Sequence, residues 1–206
     1  MPRWRTDDLY PGLDDAKFTA DLTALRNEVQ ALEAQFDTLN IRKDGAEVTP
    51  AALEQVLTAL NALSLSRNRL GSYVNAFTSV DSRNALAQQK MGELVTATLP
   101  VGPLRSRLTA WLGGLSDEAQ AKLLADSEVA REHAYFIQKA VKYARHQMTP
   151  PEEDLAARLN PSGAGGWGKL HGNYTSQLLG EYRGQPIPVT TLRGMQSDAD
   201  ENVRRD

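Results

Sequence analysis

Apolar residues recur at steps of four and three along the N-terminal part of the chain: Phe18, Leu22, Leu25, Val29, Leu32, Phe36 and Leu39. That spacing returns every side chain to one face of a 3.6-residue turn and predicts an amphipathic helix over 18–39. A second row, Leu53, Val56, Leu60, Leu63, Arg67, Leu70, Val74 and Phe77, has the same steps and predicts a helix over 53–77. Each row demands a mate, because burying such side chains contributes on the order of 1.5–3 kcal/mol apiece as an upper range. The two are expected to form a long antiparallel hairpin with coiled-coil-like packing. Arg67 is the misfit; it reads as a cation that snorkels out of the seam or pairs with a carboxylate, ahead of a catalytic or ligand-binding role.

Boundary residues frame these helices. Trp4, Leu9 and Tyr10 form a short arm before Pro11-Gly12, tacked onto the body, and Asp14-Asp15 supply an N-cap and first-turn charge. A polar connection from Arg42 to Val48, with Gly45, leads to Thr49-Pro50, a cap followed by the first helical residue. Asp81-Ser82 predicts another helix start with the stripe Ala87, Met91, Leu94 and Thr98; Pro100, Gly102 and Pro103 terminate or kink it, and Leu104, Leu108, Trp111 and Leu112 resume it. Gly113-Gly114 is the expected boundary between a subdomain at 1–113, the arm and hairpin, and a second at 114–206.

In the second part, Ser116-Asp117-Glu118 caps a short helix. A longer helix is expected from Ser127 to His146, with Phe136, Ile137, Ala140, Val141 and Ala144 inward. Thr149-Pro150-Pro151-Glu152 joins a cap, a first-position proline and a glutamate three residues after the cap, so a helix should follow through Leu159. Beyond Asn160-Pro161 a helical pattern passes Leu170, Tyr174, Leu178 and Leu179. Glu181 to Val189 reads as a β-hairpin, Thr190 to Gln196 as a connector, and Ser197 to Asp200 as the cap of a last helix. The predicted class is all-α for the most part, with one small β-hairpin near the C-terminus.

Composition narrows the function classes. At 206 residues with 41% apolar content, the chain is long enough for a proper core. Its 23 basic and 26 acidic residues give a net charge of −3, so no general pull toward nucleic acid is expected. The absence of cysteine excludes disulfides and thiolate metal sites, with a cytoplasmic location as the default. The start lacks a signal-peptide core, and no stretch approaches the roughly 20 apolar residues of a membrane span, so no membrane partner is expected.

Candidate chemistry is sparse. Gly163, Gly165 and Gly168 satisfy G-x-G-x-x-G, yet a helix and Asn160-Pro161 precede them instead of the strand a nucleotide cradle needs; a tight interhelical corner beside Trp167 is the better reading. His133, His146 and His171 are never three or four residues apart, and Glu132 beside His133 completes no zinc motif. Arg131, Lys139, Lys142 and Arg145 gather within roughly 120° of one another on a helix, a solvated or salt-bridged face before it is a phosphate or nucleic-acid contact. No G-x-S-x-G elbow is present, and Asp7-Asp8, Asp14-Asp15 and Glu152-Glu153 sit at helix starts, where the dipole accounts for them.

The order of several segments carries a resemblance. Trp4 with Leu9-Tyr10-Pro11, the long hairpin, Gly114-Leu115-Ser116-Asp117 ahead of His133, the run HQMTPPEEDLAARL from His146 to Leu159, Gly166-Trp167 before Leu170, and Asp198-Ala199-Asp200-Glu201-Asn202-Val203-Arg204 together resemble the N-terminal region of the oligoendopeptidase F family. That family consists of thimet-oligopeptidase-like zinc metallopeptidases. The resemblance implies a mostly helical shell around a channel that admits short peptides, with zinc held by a H-E-x-x-H helix and a distant glutamate. This sequence contains none of those ligands, so no catalytic or metal-binding residue carries over, the substrate-binding residues stay unassigned, and no cofactor is expected in this chain itself.

The leading expectation is therefore an N-terminal helical portion forming one wall of a substrate channel, inactive alone, cut short at Asp206, and partnered by a catalytic domain or, through the same exposed face, by another copy. Trp111, Trp167 and Tyr174 are tempting wall residues, with core packing the preferred reading for all three. The rival is a free-standing helical interaction module; a nucleic-acid binder using Arg131 to Arg145 ranks last and predicts steep salt dependence.

Overall fold

A computed structural model describes residues 7–205, and Trp4 of the predicted arm lies outside them. The first helix, α1 (Ala16–Thr38), starts where the Asp15 carboxylate accepts the Lys17 backbone N–H at 2.8 Å. Its end is a left-handed cap: Asn40 has φ 51°, its N–H reaches the Asp37 carbonyl at 3.1 Å, and the Ile41 N–H reaches the Phe36 carbonyl at 2.8 Å. This is the Schellman arrangement, in which the residue after the left-handed position packs on the last turn, and it buries Ile41 completely.

Thr49 caps α2 (Pro50–Val80), accepting the Ala52 N–H at 3.3 Å. Contacts run in opposite senses along the two helices, with Asp21 beside Arg69 and Glu28 beside Ser66, so the hairpin is antiparallel as expected. In α1 the predicted row from Phe18 to Phe36 is buried and Leu39 is half-buried. In α2 the seam takes in Leu57 and Tyr73, which the predicted row omits, and leaves Leu60 and Phe77 half-buried. Tyr10 docks the arm edge-on against Phe18 and Tyr73, with ring centroids at 5.3 and 4.9 Å.

The next helix, α3 (Ala85–Thr98), does not start at Asp81-Ser82. Asp81 ends α2 and turns its carboxylate to the Arg83 N–H, and Asn84 caps α3 by accepting the Ala87 N–H at 3.0 Å. After Leu99-Pro100 comes α4 (Val101–Leu112), which holds Leu104, Leu108, Trp111 and Leu112 inside. Then α5 (Asp117–Asp126) follows the Ser116 cap.

The expected single helix from Ser127 to His146 is two: α6 (Glu128–Glu132) and α7 (Ala134–Ala144), broken at His133 with φ −101° and ψ 17°. The His133 backbone N–H keeps the helical bond to the Val129 carbonyl at 3.1 Å, and its Nδ1 meets the same oxygen at 2.9 Å, so the break lies in the His133 dihedrals and not in a lost bond at that residue. The break lets Ala130 pack toward α2 while Ile137, Ala140 and Val141 are buried against other elements, α4 among them; Phe136, expected inside, is 40% exposed. Ser127 is buried, and its hydroxyl caps α6 and donates to Glu54 of α2 at 2.9 Å.

The last elements are α8 (Pro150–Leu159), α9 (Ala164–Thr175), the strands β1 (Leu179–Tyr182) and β2 (Gln185–Pro188), α10 (Val189–Met195) and α11 (Glu201–Arg205). Helix α9 stops short of the predicted Leu178 and Leu179, and Leu179 instead pairs with Pro188 across the antiparallel hairpin. Arg183 and Gly184, both at positive φ, make its two-residue turn. The predicted connector after the hairpin is helical, as α10.

One apolar cluster joins residues from Tyr10 to Ala140, on both sides of Gly113-Gly114. From Lys142 to Arg205 no side chain is buried.

Candidate functional site

The residues singled out from the sequence do not converge. Arg67 is exposed, at a shallow groove of about 350 Å³ with Asn68, Ser72 and Met91, so the snorkelling reading holds. His146 and His171 are exposed, and His133 is engaged with Val129. Among the described residues, no three His, Asp or Glu side chains gather closely enough to hold a metal ion. Gly163 caps α9 directly after α8, with no strand before it.

The basic set also divides. Arg131 donates to the Leu124 and Ala125 carbonyls at the end of α5, a C-terminal cap. Lys139 lies over the rings of Tyr135 and Tyr143, at 5.7 and 5.3 Å from their centroids. Arg145 alone of the four lines a cavity, described next.

That cavity, of about 570 Å³, opens between the α1–α2 connection, α4, the end of α7 and the start of α8. Its floor is the close approach of two helix ends: a Cβ placed on Gly113 would overlap the Cβ of Ala144, so only glycine lets α4 and α7 meet there. One wall is tied by the Ser106 hydroxyl donating to Glu153 at 3.1 Å, the Gln147 amide donating to the Ser106 carbonyl at 3.0 Å and the Met148 N–H donating to Glu153 at 3.1 Å. The start of α8 is held by the Thr149 N–H and hydroxyl, which donate to Glu152 at 2.8 and 2.7 Å and lower its carboxyl pKa.

The opposite wall is the turn at Arg42, Lys43 and Asp44. It is shaped by the left-handed Asp44 and by Gly45, where a side chain would strike the Asn40 carbonyl oxygen. Arg107 fixes this turn to α4, donating to the Ile41 carbonyl at 2.9 Å and pairing with Asp37 at 2.8 Å. The Trp111 indole N–H donates to the Ala46 carbonyl at 2.6 Å. The sequence pointed to Arg145 only as part of a helix face, and Arg42, Lys43, Ser106 and Gln147 carried no periodic signal because loop and helix-end geometry brings them together.

A second feature is a set of exposed apolar residues on α8 and α9. Trp111 is buried as expected, but Trp167 and Tyr174 are 72% and 65% exposed, against the expectation of core packing. They lie on a helix with no buried residue, where glycines at 165, 166, 168 and 172 offer little side chain to bury. Leu155, Leu159 and Leu170 are also more than half exposed.

No helix among the described residues is long and apolar enough to cross a membrane. Residues 111–178 match the family model of the peptidase M3 N-terminal region, described as Oligopeptidase F. That stretch runs from Trp111 through α9 and includes the exposed apolar residues, Gly113 and Ala144 of the cavity, and the cavity wall on α8. Neither curated proteins nor solved structures give a match.

Proposed function

We propose that this chain, whose residues 111–178 are an oligoendopeptidase F-like N-terminal region, serves as the non-catalytic helical portion of a zinc metallo-oligoendopeptidase, forming part of the wall of a channel for short peptides. One observation carries the reading. Within the matched stretch, Leu155, Leu159, Trp167, Leu170 and Tyr174 stay more than half exposed, while α1 to α7 share a full core. Large apolar side chains left exposed on segments that bury nothing suit a surface for further polypeptide. The occupant is the portion that carries the H-E-x-x-H helix, a motif lacking here. A cytoplasmic setting goes with this reading.

The zinc of such an enzyme finds no fitting donor set among the described residues, so no hydrolytic step is assigned to them. What this chain supplies is shape: a helical wall that limits entry by size and holds the catalytic portion in place. The test is zinc content and cleavage of a quenched fluorescent peptide, measured on this chain alone and on this chain joined to a H-E-x-x-H-bearing catalytic portion. Cleavage by the joined protein and none by the chain alone is expected. Stoichiometric zinc with chelator-sensitive cleavage by the chain alone would overturn the proposal.

A further inference from the structure

We infer that the cavity between the α1–α2 turn, α4, α7 and α8 binds a small organic carboxylate with a short apolar body, either the free C-terminal end of a peptide or a free acid. The inference stands apart from the peptidase reading, because its readout is binding by this chain. At about 570 Å³ the cavity lies in the range of small-molecule sites, and its walls are tied before any ligand arrives.

Charge bookkeeping around it selects the ligand. Of the groups lining it, Arg107 is held by Asp37 and Ile41, Asp154 by Arg158 at 2.9 Å, and Glu153 by Ser106 and Met148. Arg42, Lys43 and Arg145 have no ion-pair partner among the described residues, and the acids left to face these three cations are Asp44 and Glu153, whose neutral hydrogen-bond donors leave its charge in place. The remaining balance is cationic, and a guanidinium fork suits a carboxylate in two-point contact. The C-terminal ends of α4 and α7 at the floor place partial negative charge there, which together with Asp44 favours a monoanion over a phosphate dianion. Pro103, Ala110, Ala144 and Met148 supply the apolar surface for the body of the ligand.

Titration calorimetry on the full chain tests this with acetyl-Ala-Leu bearing a free carboxylate, its C-terminal amide, hexanoate and inorganic phosphate. The free-carboxylate peptide should bind, with the amide at least about tenfold weaker, because a charge-assisted hydrogen bond is lost. Joint replacement Arg42→Ala and Arg145→Ala, at exposed positions, should weaken binding by at least about tenfold with an unchanged thermal midpoint. Asp44→Asn should tighten it. Binding of hexanoate as tightly as the peptide assigns the site to free acids, and binding of the peptide alone assigns it to peptide ends; either supports the inference. Equal binding of acid and amide, displacement of the acid by equimolar phosphate, indifference to the double replacement, or no binding up to about 10 mM would overturn it.

Discussion

The Tyr73 hydroxyl donates to the main-chain carbonyl of Tyr10 at 2.9 Å, and the two rings meet edge-on with centroids 4.9 Å apart. One side chain of α2 thereby ties the main chain at Tyr10, ahead of α1, to the hairpin. Tyr73→Phe keeps the ring packing and removes the donor from a buried carbonyl. We expect a loss of about 1–2 kcal/mol, read as a lower urea midpoint with an unchanged slope.

Alkaline pH should loosen the same corner. Burial, and then the hydrogen bond to Asp21 at 2.7 Å, raise the Tyr10 pKa from 10.0 to about 12, and burial raises that of Tyr73 too. For a group whose folded pKa lies above its unfolded one, the stabilisation is complete below the unfolded value and disappears as pH rises through the folded value. Stability should therefore fall between pH 10 and about 12. Tyr10→Phe should flatten that part of the pH profile relative to the parent chain, which urea melts at stepped pH would measure.

Gly113→Ala should be costly in a way helix propensity does not foresee. The new methyl overlaps the Cβ of Ala144, and overpacking of this kind costs about 1–3 kcal/mol. Adding Ala144→Gly should restore part of that loss, so the double variant melts above Gly113→Ala alone. Additive losses would mean that α4 and α7 do not meet there.

Replacing the exposed aromatics should leave the fold intact. Trp167→Ser and Tyr174→Ser should each change stability by less than about 0.5 kcal/mol, the scale of surface substitutions. Binding of a hydrophobic dye to the folded chain should drop. A destabilisation of several kcal/mol would place these rings in a core.

The long hairpin was legible because burial on one face imposes a periodicity that survives in the sequence, and the caps at Thr49 and Ser116 were legible because their hydrogen bonds are local. The break at His133 was not, since it answers to packing of α6 on α2 and of α7 on α4, contacts far apart in sequence. Ile41 falls between the predicted helix and the polar connection that begins at Arg42, although Asn followed by an apolar residue after a helix is the signature of the cap it forms. Trp167 and Tyr174 were misplaced because periodicity reveals an apolar face without revealing what covers it. The cavity was illegible for a different reason: Arg42 and Lys43 come from the α1–α2 turn and Arg145 from the end of α7, and they line one cavity through a turn and a helix approach shaped by Gly45 and Gly113.

Amide hydrogen exchange over 150–179 most directly tests whether these outer helices are a docking surface. The measurement compares this chain alone with the same chain joined to a H-E-x-x-H-bearing catalytic portion. With no buried side chain in that segment, exchange there in the isolated chain should be fast compared with the core of α1 and α2. On joining, protection should rise at Leu155, Leu159, Trp167, Leu170 and Tyr174. Unchanged exchange across 150–179, with new protection confined to α1 or α2, would contradict the account.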